Sequence, residues 1–103
     1  MGVEDKISVS DIAYGDISTA GALTGARNMT AVRNGAGDYS VTIGEATDEL
    51  ECQVTVCGKT AALSWTVVHT SDTVKQILFL DTATGLTPTD SEFSILVSRI
   101  FIA

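Results

Sequence analysis

His69 is the single histidine of the chain, and so the one side chain whose ordinary titration range suits acid–base work near neutral pH. A nucleophilic site would need a Cys or Ser within hydrogen-bonding reach of it. Nothing in the spacing links His69 to Cys52, to Cys57 or to a particular serine. It lies in an alternating strand pattern, where it reads as a histidine packing on Trp65 or facing solvent. Cys52, Cys57 and His69 give three ligands where a structural zinc takes four, so they read as ordinary strand positions. The carboxylates Asp48, Glu49 and Glu51, and the pair Asp90 and Glu92, are of the type used in glycoside hydrolysis. They fall at loop–strand junctions, where acids are commonplace. The run Gly35-Ala36-Gly37-Asp38-Tyr39-Ser40 lacks the third glycine of a dinucleotide loop, and a strand follows where a helix is required. No EF-hand spacing appears. Asn28-Met29-Thr30 matches the glycosylation sequon, but residues 1–6 show no basic n-region and no apolar stretch follows, so no secretory leader is expected. Trp65, Tyr14 and Tyr39 could stack on a sugar, although aromatics in this number are more commonly core. The sequence assigns no catalytic, cofactor-binding or metal-ligating residue.

The elements that would position any site follow from composition. With 103 residues, 45% of them hydrophobic and 18% charged, and a mean hydropathy of +0.27, the chain is one folded domain rather than a disordered segment. Its longest apolar run, residues 77–80, is far short of the roughly 20 needed for a membrane helix. Six basic residues against 13 acidic ones give a net charge of −7. The basic residues are scattered singly, which argues against nucleic acid and against anionic lipid. Cysteines five apart on one strand point to opposite faces and lie about 17 Å apart, beyond a disulfide's reach. Both read as free thiols, which fits folding in a cytosol.

One Pro, nine Gly and abundant Thr, Val, Ile and Ala favour strands. Residues 28–33 and 38–43 alternate on either side of Asn34-Gly35-Ala36-Gly37, which predicts a β-hairpin with Tyr39, Val41 and Ile43 on one face. Residues 50–57 place Leu50, Cys52, Val54 and Val56 inside, with Glu51, Gln53 and Thr55 outside. Residues 61–70 carry Leu63, Trp65, Val67 and His69 on one face. Residues 74–80 form a further strand, apolar on both faces; 81–91 read as a loop, and 93–102 as a long closing strand. Near the start, residues 6–9 and 11–17 form two strands or one bent strand, with 1–10 a candidate extended arm, and 19–26 read as a loop. No segment has helical periodicity. Seven or eight strands at this spacing predict an all-β antiparallel sandwich, jelly-roll-like, over residues 1–103.

The stretch from Arg27 to Ile43, with Asn28-Met29-Thr30-Ala31-Val32 and then Gly35-Ala36-Gly37-Asp38-Tyr39, resembles a recurrent hairpin of bacteriophage virion fibre domains. The closing run Phe93-Ser94-Ile95-Leu96-Val97-Ser98-Arg99-Ile100-Phe101 resembles their last strand, and Ala13-Tyr14-Gly15 fits more loosely. The resemblance implies a homotrimeric β-sandwich without enzymatic activity, carried on tail fibres or capsids. Residues 45–52 depart from the pattern, which usually has a Pro-rich or Asp-Ala-Asn-Tyr stretch there. A chain of this length with its own Met1 leaves no room for a fibre shaft, so the expectation is a capsid decoration or head-fibre protein. The alternatives are the receptor-binding tip of a tail fibre or a carbohydrate-binding module, and an enzyme is the least supported. The expected partners are two further copies of the chain, a major capsid or other virion protein, and in the alternative reading a host surface glycan. Nucleic acid, membrane insertion and cofactors are not expected. The expected location is the virion, after folding in the bacterial cytoplasm.

One pattern bears on assembly without any resemblance. Residues 93–102 are apolar on both sides, with Phe93, Ile95, Val97 and Phe101 on one and Leu96, Ile100 and Ile102 on the other. A sandwich has one interior, so the second set needs another cover. Either the N-terminal segment folds back over it through Ile7, Val9 and Ile12, or another subunit does. Subunit burial is the expectation, with positions 51 and 55 outside it.

Overall fold

Short strands of period two bury their apolar sides by placing two sheets face to face. The computed structural model describes residues 7–59 and 63–102 and has that arrangement. Its strands are β1 (Ile7–Ile17), β2 (Leu23–Arg27), β3 (Met29–Gly35), β4 (Asp38–Ile43), β5 (Cys52–Gly58), β6 (Leu63–His69), β7 (Val74–Asp81), β8 (Thr87–Pro88) and β9 (Phe93–Ile102). One sheet has the order β2-β1-β9-β5 and the other β3-β4-β7-β6, with β8 added beside β7. All pairs are antiparallel. The expected antiparallel sandwich is therefore the fold.

The interior is filled by alternate residues of the central strands. Tyr39, Val41, Ile77, Phe79, Phe93 and Val97 are fully buried. Burying an aliphatic or aromatic side chain of this size contributes about 1.5–3 kcal/mol each, which is why these strands hold their register. Tyr39, Phe79 and Phe93 meet with ring centroids 5.0–5.9 Å apart and rings steeply inclined, bridging the two sheets.

The hairpin of β3 and β4 forms as expected, and its turn is built into the core edge. Gly37 adopts φ 66°, and a side chain there would meet the Phe79 carbonyl. Only glycine combines that conformation with so close an approach. The Gly37 carbonyl accepts from Phe79 N–H at 2.8 Å, and the Gly37 N–H donates to Asp90 Oδ1 at 2.8 Å.

Four features differ from the sequence reading. Of the two readings offered for residues 6–17, the single bent strand holds, over 7–17 with a bulge at Ile12, but residues 7–10 pair with β9 rather than forming an arm. Residues 1–6 lie outside the described residues, as do 60–62, where the sixth strand was expected to begin. The small, Gly-rich segment expected as a loop contains β2, because β1 needs a partner on its free side and that pairing overrides weak β-propensity. The expected loop over 81–91 holds a 3-10 turn and β8. Leu50, expected inside, sits on the 3-10 turn Glu49–Glu51 and is 93% exposed. Asp48 accepts from Leu50 N–H there, and this cap starts the turn before the strand can form.

Candidate functional site

Two places gather the residues that could do something. The first is the outer face of the β2-β1-β9-β5 sheet. Residues paired across strands share a face, so register alone defines its rows. Arg27, Tyr14, Leu96 and Thr55 make one row across all four strands. Val9 lies opposite Ile100, and by register Ile7 lies opposite Ile102. Val9 is 57% and Tyr14 41% exposed, while Leu96 and Ile100 are half-buried. A groove of about 340 Å³ runs along this face beside the bulge, between Ile12, Tyr14, Arg27 and Leu96. The other side of β9, with Phe93, Ile95 and Val97, is fully buried in the sandwich.

The N-terminal cover considered for β9 does not form among the described residues. The N-terminal strand lies beside β9 in the same sheet, so it widens the apolar face by adding Val9 and Tyr14 and does not roof it. The expected outside position Thr55 is opposite Leu96 and so belongs to this face. Polar rows interrupt the apolar ones. Asp11 accepts from the Ser98 hydroxyl at 2.9 Å. Asp16 accepts from Ser94 and Tyr14, and these hydrogen bonds, with Lys59 nearby, hold its carboxyl below the usual range. On the opposite sheet, by contrast, the outward Leu78 lies between Thr66 and Asp38, and Leu80 between Ser64 and Pro88, so no apolar row is continuous there.

The second place is a cleft of about 220 Å³ where β5 and β6, the edge strands of the two sheets, leave the sandwich open. It is lined by Glu49, Cys52, Val54, Val67, His69 and Lys75. Lys75 is the residue that the sequence reading missed. It is 1% exposed and shares the inward face of β7 with Ile77 and Phe79; the alternation 75, 77, 79 is the signal that would have found it. Its Nζ donates to His69 Nδ1 at 2.8 Å and to the Ser71 carbonyl at 2.9 Å. An ammonium can only donate, so His69 Nδ1 accepts and the ring proton sits on Nε2, which faces Asp72 Oδ1 at 3.4 Å. The structure thus brings His69 and Cys52 to one cleft, a link invisible in their spacing. Both ring nitrogens are already engaged, which leaves His69 without a lone pair directed at the Cys52 thiol.

The remaining candidates are dispersed into structural roles. Asp90 accepts both Arg33 and the Gly37 N–H, and these lower its carboxyl below the usual range. Asn28 takes φ 59° and donates to the Ile12 carbonyl freed by the bulge, at 2.9 Å, so the sequon asparagine holds the fold together. Tyr39 is core, Tyr14 lies on the outer face, and Trp65 covers Phe79 at the β6 edge; the three aromatics share no surface. Cys52 is half-buried, Cys57 is exposed, and both are free. Among the described residues no group of three His, Cys, Asp or Glu is placed to hold a metal ion. Comparison with known protein families, curated proteins and solved structures returned no match to this chain.

Proposed function

We propose that the protein is a non-enzymatic structural module of a phage particle surface, a decoration or head-fibre protein that assembles as a homotrimer. The observation that carries the assembly is the outer face of β1 and β9. Tyr14 with Leu96, and Val9 with Ile100, form apolar rows on a strand pair whose other side already fills the core. A chain of net charge −7 gains solubility from its other surfaces, and an apolar face of this kind is where a copy would dock. The hairpin from Arg27 to Ile43 and the closing strand, through their resemblance to virion fibre domains, support three-fold symmetry and a particle-surface location. Three copies would set their β9 outer faces about the axis, with a capsid or other virion protein as the further partner.

Sedimentation equilibrium tests the assembly. The 10.8-kDa chain should run as a trimer at micromolar concentration. Leu96→Asp with Ile100→Asp should dissociate it, and Glu51→Gln should not. A wild-type monomer at that concentration would end the reading. Cryo-electron microscopy of the assembled particle tests the location, and glycan-array binding by the trimer would point instead to a receptor-binding tip.

A further inference from the structure

The cleft between β5 and β6 contains a charge pattern that the fold does not use. Lys75 Nζ is buried with two neutral acceptors, a ring nitrogen and a backbone carbonyl. An ammonium has three protons to donate, and a buried cation is costly without a counter-charge. Among the described residues no carboxylate lies within ion-pair distance of it. Glu49 lines the same cleft from the exposed 3-10 turn, and no cation or hydrogen-bond donor among the described residues engages its carboxylate. The remaining walls are Val54, Val67, Cys52 and His69. Thus a buried cation, a carboxylate from the exposed turn and apolar walls share one open cavity. His69 adds no competing charge, because its Nδ1 accepts from the lysine and its Nε2 faces Asp72.

We propose that this cleft is a binding site for a small zwitterion, an α-amino acid with a short branched side chain. Its carboxylate would take the third proton of Lys75, its ammonium would meet Glu49, and its hydrocarbon would lie against Val54 and Val67. Size agrees with this class. A cleft of about 220 Å³ exceeds the roughly 150 Å³ cavity that takes benzene, so it has room for a ligand of valine's size. The proposal is independent of self-assembly, since the cleft opens at the β5 and β6 edges and not on the β1–β9 outer face.

The test is a titration of the full chain, followed by backbone amide chemical shifts, with three probes of one shape. L-valine carries both charges, 3-methylbutanoate lacks the ammonium, and isobutylamine lacks the carboxylate. Valine should shift the amides of Cys52, Val67 and Lys75 saturably at millimolar concentrations, with either one-charge analogue at least tenfold weaker. Lys75→Met, which keeps the chain length without the charge, should abolish the valine response. Should that variant fail to fold, Glu49→Gln on the exposed turn carries the test. It should weaken valine at least tenfold, to the level of 3-methylbutanoate, and leave the latter unchanged. Absence of saturable shifts, equal affinity for the three probes, or full valine affinity in Glu49→Gln would each overturn the proposal. Loss of stability in Glu49→Gln without any valine binding would show instead that Glu49 pairs with Lys75 directly, which also overturns it.

Discussion

Removing one oxygen from the core, by Tyr39→Phe, isolates what the polar end of a buried aromatic contributes. The ring remains, so its contacts with Phe79 and Phe93 and the area it buries are unchanged. What disappears is a hydroxyl that donates to the Thr19 carbonyl at 2.7 Å and accepts from the Ser91 N–H at 3.3 Å. Thr19 is exposed and its carbonyl can turn to water, whereas Ser91 is fully buried and its N–H loses the Tyr39 oxygen away from solvent. A neutral hydrogen bond contributes about 1 kcal/mol, so the loss of the two predicts about 2 kcal/mol. For a domain of this size a loss of about 2 kcal/mol lowers Tm by about 8–16 °C. Urea denaturation followed by Trp65 fluorescence measures it, in the Leu96→Asp, Ile100→Asp background so that subunit association does not enter the comparison. Tyr14→Phe is the matched control, because its exposed hydroxyl bonds only Asp16 and its loss should leave the midpoint within scatter. A Tyr39→Phe loss below about 0.5 kcal/mol would refute the reasoning that the hydroxyl anchors two crossing segments to β4.

Other consequences can be measured on the same preparation. Arg33 first, and the Gly37 N–H second, hold the Asp90 carboxyl below its usual range. Its stabilising contribution is therefore full above the unfolded carboxylate pKa, about 4, and disappears as pH falls through the lower folded value. Asp90→Asn should be less stable than wild type at neutral pH, and the gap should close in acid; a gap independent of pH in denaturation curves would contradict this. Asn28→Ala should cost about 2–3 kcal/mol, through the lost bond to Ile12 and the left-handed φ. Asn28→Gly should cost only about 1 kcal/mol because it tolerates that φ, and thermal melts give the order. Cys52→Ala, on the inward face, should lower stability by about 1 kcal/mol. Cys57→Ser, on the exposed face, should stay within about 0.5 kcal/mol; equal losses would show that the two faces are misassigned.

Strand periodicity was legible wherever one face is buried. Tyr39, Val41 and Ile43 on β4, and Phe93, Ile95 and Val97 on β9, follow from alternation alone and are all at or below 2% exposed. β2 was not legible, since Leu23–Arg27 is mostly small and exposed and becomes a strand only because β1 has an edge to pair. The bulge at Ile12 was hidden for a similar reason: the carbonyl it frees is taken by the amide of the distant Asn28. Of the cleft, the sequence showed Cys52 and His69 as separate strand positions. Their meeting depends on how β5 of one sheet lies across from β6 of the other, which no local pattern encodes. Lys75 was masked by an apolar neighbourhood that drew attention to β7 as a hydrophobic strand rather than to its one inward cation.

The position of β9 also sets an order of events during folding. β3, β4, β7 and β6 all lie between residues 29 and 81, so their sheet can close without β9. The other sheet cannot, because β9 is its central member, the last strand in sequence, and the only one that joins β1 to β5. Until it arrives, β1 with β2 on one side and β5 on the other have no common partner, and the inward faces of all three are open to water. Bringing Ile7 against Ile102 closes a loop of almost the whole chain, the costliest kind of contact to form early. A sheet of β3, β4, β7 and β6 formed ahead of β9 would be a half-sandwich with an exposed apolar interior, and the strand that fills that interior also carries the outward Leu96 and Ile100.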